Sequence, residues 1–324
     1  MIELSDISLP LDVCPLALPL DPGVRAAVVN AMQAAGWNGT AEALSEVRVL
    51  RVGVDARRSR CRFTANVAVG LSAGDDETRV IAALATGGLK AKRYVPDRPL
   101  VFSRRAEGDC GTDVAGCGFS RPVVVGAGPA GLFAALSLAR AGLNPLVVER
   151  GGSVAERVEA VQAFEAGGAL DPECNVQFGE GGAGTFSDGK LNTGIKSPDL
   201  RGILLEFIAC GADPLIGRLA RPHIGTDELR RVIPRLRERI EDAGGEVRFN
   251  TRLERLICED GRVVGVELAC GGVTEIVRTD EVILACGHSA RDTFAMLHAL
   301  GVPMEPKPFA VGVRIEHRQA DIDA

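Results

Sequence analysis

Aromatic side chains are scarce in this 324-residue chain: 11 Phe, one Tyr and one Trp, 4% of the total. RNA-reading sheets need stacking platforms, and that class starts without its main tool. Histidine is rarer still, at four, and no cysteine stands at zinc-ligand spacing from one. Nine cysteines are present, an odd number with no C-x-x-C pair. That excludes a secreted disulfide framework and fits the reduced thiols of a cytoplasmic protein. Excess positive charge is also missing: 37 Lys+Arg face 43 Asp+Glu, net −6, which speaks against an electrostatic nucleic-acid binder. The local basic run Arg57, Arg58, Arg60 and Arg62 reads as a solvated turn or as a surface for an anionic partner. The acidic start Met1–Asp6 lacks the basic region of a signal peptide. Membrane-length apolar runs are absent too. The longest uncharged stretch, 122–139, is broken by Gly126, Gly128, Pro129 and Gly131, so it reads as a buried strand–turn–helix rather than a span.

What remains is ordinary globular composition, 46% apolar and 25% charged, at a length suggesting about two domains. Residues 1–98 read as a small α+β unit. Ile2–Leu9 has strand character. A helical pattern follows through Val24, Ala27, Val28, Ala31, Met32 and Ala35, ended by Gly36. Val47–Val54 and Cys61–Val69 read as strands, the latter with Phe63, Ala65, Val67 and Val69 on one face. Asp75 and Asp76 open a second helix through Val80, Ile81 and Leu84, and Ala91–Val95 is a short last strand. The order β-α-β-β-α-β is the ferredoxin-like split motif. Residues 99–119, rich in Gly, Asp and Arg without apolar period, form a linker.

Chemistry begins at residue 121. The apolar strand Val123–Val125 runs straight into Gly126-Ala127-Gly128-Pro129-Ala130-Gly131, and a helix from Leu132 to Ala141 follows. Leu146–Val148 is the next strand, with Glu149 at its C-terminal end. This is G-x-G-x-x-G in its strand–turn–helix context, with an acid about 20 residues on, the dinucleotide-binding pattern. Gly126 permits the tight turn, Gly128 lets a pyrophosphate approach the backbone, and Gly131 lets helix and strand lie close. The helix N-terminus offers unpaired N–H groups and partial positive charge to phosphate, and Glu149 suits ribose hydroxyls. The motif alone does not separate FAD from NAD(P). Three features favour FAD: Arg150-Gly151-Gly152 and Arg157 after Glu149; a second glycine-rich stretch, Gly179–Lys190; and a strand set at 246–249, 252–258, 263–269 and 273–277, read together as a meander before Asp280–Gly287 returns to the parallel sheet.

At these residues the chain resembles FAD-containing oxidoreductases with a glutathione-reductase-like FAD domain. More narrowly it resembles bacterial FAD-dependent dehydrogenases of the NAD(P)/FAD-dependent class. Val54–Arg58, Val176–Phe178 leading into Gly179–Lys190, His223–Asp227, Gly287–Phe294 and Lys307–His317 carry the narrow likeness. The resemblance implies an α/β fold: a Rossmann-like FAD-binding domain at 120–300, built of a parallel sheet plus β-meander with an inserted segment near 190–240. The ferredoxin-like domain precedes it and the start of a substrate domain, 301–324, follows. It implies non-covalent FAD, with Gly126, Gly128, Pro129, Ala130 and Gly131 on the pyrophosphate and Glu149 and Arg150 beside the adenosine ribose. Leu253 presents backbone to adenine, and Gly287 closes over the flavin side. Arg157 and the loop Gly181, Gly182, Thr185, Phe186 and Ser187 contact phosphate or flavin. The implied activity is hydride or electron transfer through FAD to a small-molecule substrate or electron acceptor, with a nicotinamide left open as transient donor because no second G-x-G-x-x-G appears.

Two departures from the family pattern stand out. Pro234 falls inside the helical pattern Leu229, Val232, Ile233, Leu236, Ile240 and is expected to kink or split it. No late glycine-containing segment returns to the flavin, so a C-terminally truncated product is expected, with a non-catalytic flavin- or nucleotide-binding remnant as the alternative function. No catalytic residue is assigned. His288 reads as an acid/base group or a structural histidine, Lys190 as a flavin partner or a solvated lysine, and Cys286 as a small strand-end residue. Thr226 or Asp227 reads as a helix N-cap.

Overall fold

The structure, a computed structural model, describes residues 1–57, 61–72, 76–97, 100, 121–186, 197, 199–313 and 315–323. Arg58, Arg60, Cys110, Cys117, Ser187, Lys190 and nearly all of the 99–119 stretch lie outside them.

The first unit contains β1 (Ile2–Leu9), α1 (Pro22–Ala34), β2 (Leu44–Asp55), β3 (Arg62–Leu71), α2 (Glu77–Thr86) and β4 (Ala91–Arg93). The sheet runs β2-β3-β1-β4 with antiparallel neighbours, the ferredoxin-like arrangement expected from element order. Alternation in β1 changes phase midway. Ile2 and Leu4 are buried, then Ile7 and Leu9, because a register shift between Leu4 and Ile7, with Asp6 at φ 61°, inserts one extra residue. Helix α1 sends Val24, Val28 and Met32 into the core at four-residue spacing. Asp21 caps it by accepting from the Gly23 amide at 2.8 Å. Asp76 does the same for α2 through Thr78.

The second unit contains β5 (Val123–Val125), α3 (Pro129–Arg140), β6 (Leu146–Val148), α4 (Val154–Glu165), α5 (Asp199–Ala209), α6 (Thr226–Asp242) and β7 (Glu246–Arg248). β8 (Thr251–Glu259), β9 (Arg262–Cys270), β10 (Val273–Arg278), β11 (Val282–Leu284) and α7 (Arg291–Ala299) follow, with a final turn α8 (Gln319–Ile322). β11-β5-β6-β7 form a parallel sheet, and β8, β9 and β10 an antiparallel meander. Period-2 alternation splits the parallel sheet between two cores. Val124 and Val147 pack under α3, α5 and α6, while Val123, Val125, Leu146 and Val148 pack against Leu253, Leu256, Val266 and Leu268 of the meander.

The structure corrects the sequence expectation at three points. Glu246–Arg248 belongs to the parallel sheet and not the meander, because α6 is the crossover that returns the chain beside β6. In the segment expected as an insert, α5 and α6 supply Leu204, Phe207, Leu229, Val232, Ile233, Leu236 and Ile240 to the main core. α6 runs unbroken through Pro234. Five aliphatic side chains on its buried stripe, at roughly 1.5–3 kcal/mol each, outweigh the ~3 kcal/mol cost of the proline. Gly225, not Thr226 or Asp227, occupies its N-cap, with no side-chain cap. Downstream of α7 no strand forms among the described residues, and Phe309, Val311, Val313 and Ile315 are exposed.

Candidate functional site

The two glycine-rich loops meet at the C-terminal edge of the parallel sheet. α3 begins at Pro129 with Gly128 as its N-cap, three residues earlier than the apolar period suggests, since proline at the first helical position loses no needed N–H. Gly126 sits at φ 103°, and a Cβ there would lie 2.5 Å from the Ala285 carbonyl. A Cβ on Gly131 would fall 1.8 Å from the Gly126 carbonyl oxygen. Both glycines are therefore demanded by protein packing before any ligand is considered. Gly128 differs: its Cβ position meets nothing nearer than Gly182 Cα at 3.8 Å. The first amide of the helix to bond backward is Leu132, to Gly128 O, which leaves the amides ahead of it at the helix mouth.

Glu149 leaves the end of β6 and is almost fully buried. Its Oε2 accepts from the Ala127 amide at 2.7 Å, and its Oε1 accepts from Gly151 at 3.0 Å and Gly179 at 2.9 Å. One carboxylate thus ties together the first glycine turn, the end of β6 and the second glycine loop. With about four acceptor sites on a carboxylate, about one remains.

Arg157 is the other organiser. It is fully buried on α4, and its guanidinium donates to the carbonyls of Asn175 (2.8 Å), Val176 (3.0 Å), Glu180 (2.8 Å) and Gly182 (2.7 Å), with Gly179 at 3.5 Å. It also stacks on Phe186, 4.5 Å from the ring centroid. Burial pulls its pKa down to about 10, against the opposing charges of Glu149 and Glu180, so it stays a cation at neutral pH. Glu180, 1% exposed, pairs with Arg237 of α6 at 2.9 Å and accepts from the Val154 amide at 2.8 Å.

These contacts shape a cleft of about 260 Å3. Among the residues expected from the sequence, Gly126, Gly128, Pro129, Ala130, Glu149, Arg150, Gly182, Leu253 and Gly287 line it. Gly131, Gly181, Thr185 and Phe186 stand behind the wall, and so does Arg157, whose donors are spent on backbone carbonyls. Ser187 is outside the described residues. Gln177, Phe178, Gly179, Ala183, Thr251, Arg252, Ser289 and Thr293 also line the cleft. The sequence signal for most of them lay in the stretches 176–183 and 287–294, whose residues carry the resemblance without individual roles.

A charged latch, Arg150 with Asp292, stands at the cleft wall. Arg150 reaches both carboxylate oxygens of Asp292, at 2.9 and 2.7 Å, and lies 4.6 Å over the Phe178 ring. Burial works to raise the Asp292 carboxyl, but the Arg150 hydrogen bond, the Thr293 amide and the charges of Arg150 and Arg252 outweigh it and hold the carboxyl below its ordinary value. Beside the latch is β8, the edge strand of the meander. The Thr251 amide donates away from β9, to Glu149 O at 2.8 Å. Two residues on, Leu253 offers its backbone in the same outward direction. The Gly287–Ala290 turn lies beside the latch as well. His288 Nδ1 is 2.7 Å from Ser289 Oγ, which donates to Gln177 Oε1 at 3.3 Å. Burial pushes the Cys286 thiol up, opposite to what a nucleophile needs. Among the described residues no cluster of His, Cys, Asp and Glu could hold a metal, and no helix is long and apolar enough to cross a membrane.

Comparison with known proteins agrees with this geometry. A family model described as FAD dependent oxidoreductase matches residues 209–321, and one described as FAD binding domain matches residues 121–171. A Clostridium beijerinckii protein is 49% identical over 200 residues, covering 62% of this chain and 37% of that protein. Protein FixC of Escherichia coli K12 is 31% identical over 196 residues, covering 60% and 42%. The chain spans about two fifths of the length of these relatives. Among solved structures, Thermovibrio ammonificans THI4 is a loose likeness, at 17% identity and TM-score 0.36 over 57% of this chain and 64% of that one. The strand–glycine turn–helix, the acid at the end of β6 and the two matched regions make this chain similar to FAD-dependent oxidoreductases.

Proposed function

We propose that this chain binds FAD non-covalently in the cleft and serves an oxidoreductase whose substrate or electron acceptor is a small molecule. The observation that carries this is the α3 N-terminus opening on the cleft, whose wall there is made of the small residues Gly126, Gly128, Ala130 and Gly182 with Pro129. A pyrophosphate fits there, held by backbone amides and the helix dipole. Glu149 keeps about one acceptor site for a ribose hydroxyl. Leu253, Arg150 and the Gly287–Ser289 turn share the latched wall, which suits adenosine, so Gly287 and His288 belong to the adenosine side of this assignment and not to the flavin ring. Gly182 and Ala183 then lead toward the ribityl chain and flavin. Flavin, when bound, supplies the hydride or electron chemistry; the protein's share is to hold the pyrophosphate, orient the ring and exclude water. The test of the FAD assignment is the visible absorbance of the purified chain before and after FAD addition and desalting. A retained flavin band supports the assignment, and a colourless protein that rejects FAD overturns it for this chain.

A further inference from the structure

The small domain touches the rest of the chain through its edge strand. At Val52 the free edge of β2 forms a parallel bridge with Leu219. The Val52 amide donates to Arg218 O at 2.8 Å, the Ala220 amide donates to Val52 O at 2.7 Å, and Arg51 Nη2 donates to Ala220 O at 2.9 Å. A second tie lies close by. Arg201 of α5 grips both oxygens of Asp97, at 3.0 and 2.7 Å, and also donates to Gly217 O.

The held segment leads directly into α6. The Asp213 amide donates to Glu228 Oε1 in the first turn of α6 at 2.8 Å, and Ile216 and Ile224 are buried in the core shared with that helix. α6 in turn grips the second glycine loop at three points. Arg237 pairs with buried Glu180, Arg230 stacks 4.7 Å over Phe186, and Ile233 stands 3.1 Å from where a Gly181 Cβ would be. A 17-residue helix is stiff over this distance, so fixing its N-terminal approach fixes what its next turns hold.

We infer that the ferredoxin-like domain is a brace for the cofactor loop: the β2 edge sets segment 218–220, that segment sets α6, and α6 sets Gly179–Phe186. The inference rests on the FAD assignment for its consequence, but the coupling itself is a property of the protein alone.

Gly53 supplies the test. A Cβ there would meet Ala220 Cβ at 3.2 Å, while the nearest atom within its own domain is Thr64 Oγ1 at 3.6 Å. Gly53→Val therefore wedges the bridge apart while adding a good strand former to the small domain, and Gly53→Val with Ala220→Gly relieves the wedge. Arg201→Ala breaks the second tie independently. Two readouts apply to the full chain. Hydrogen exchange at the Gly179, Glu180 and Gly181 amides, measured without flavin, accelerates in both single variants and returns toward wild type in the double variant. FAD titration shows about a tenfold rise in Kd, the change that 1.4 kcal/mol makes, with the small domain's own exchange unchanged. Exchange and Kd both at wild-type values in Gly53→Val and Arg201→Ala overturn the brace. A wild-type chain that rejects FAD yet shows the exchange coupling overturns the FAD assignment and supports the brace.

Discussion

Replacing Arg157 by methionine is the sharpest single perturbation of the site. The side chain keeps much of its apolar packing volume but loses four good hydrogen bonds to the Asn175, Val176, Glu180 and Gly182 carbonyls and a longer one to Gly179. At about 1 kcal/mol net for each good bond, the held form of the loop is weakened by about 4 kcal/mol, close to a thousandfold in the open-to-held ratio. Glu149 and Glu180 also lose the cation whose charge opposes theirs inside the fold, which adds to the cost. Arg157→Lys keeps the charge with three donors instead of five and recovers part of the loss. Neither substitution touches the small domain or the Val123–Leu146 ladder, so global unfolding is not the expected outcome. Hydrogen exchange at Gly179–Thr185 and FAD titration by fluorescence quenching read the effect directly. Faster exchange confined to that loop, with FAD affinity falling in the order Arg, Lys, Met, is expected. Wild-type exchange and affinity in Arg157→Met refute the claim that Arg157 holds the loop.

Glu149→Gln leaves one carbonyl oxygen where two carboxylate oxygens accepted three amides and turns an NH2 toward one of them; FAD affinity in a titration falls by about five- to a hundredfold, an unsatisfied buried group costing ~1–3 kcal/mol. Gly131→Ala puts a Cβ 1.8 Å from the Gly126 carbonyl, an overlap beyond the ~1–3 kcal/mol of ordinary overpacking. Thermal unfolding then shows early loss of the second unit with the ferredoxin-like unit still melting on its own. The depressed Asp292 carboxyl fixes the sign of the latch's pH dependence: its stabilisation is complete above the ordinary value of 3.8 and is lost as pH falls through the lower folded value. Flavin retention is accordingly flat across neutral pH and drops only in acid, whereas Arg150→Ala accelerates flavin release at neutral pH, as a stopped-flow dilution measures.

Much of this is legible in the amino-acid sequence. Element order and two-residue alternation were enough for the β2-β3-β1-β4 sheet, because each strand buries one face and the split motif has one common antiparallel solution. The strand–Gly126–Gly131–helix unit was equally plain, because its glycines answer to contacts within a few residues or across one strand. The reach of Arg157, the Glu180–Arg237 pair, the Arg150–Asp292 latch and the Val52–Leu219 bridge were not. Their partners lie 18 to 25, 57 and 142 residues apart for the first three, and one residue type at each end carries no period that marks it.

One α+β unit and one α/β unit, the glycine turn at the N-terminus of α3 and the acid beside it follow from local propensity, periodicity and the steric demands of short turns. The tertiary structure decided which side chains face the cleft and which stand behind it. It put Arg157 and Glu149 to work on backbone amides and carbonyls, carried α6 through Pro234, and seated the small domain on the segment that leads into α6. Each of these is a choice between a local rule and a buried, long-range contact. The contact wins where several aliphatic side chains or several charge-assisted hydrogen bonds act on one element together.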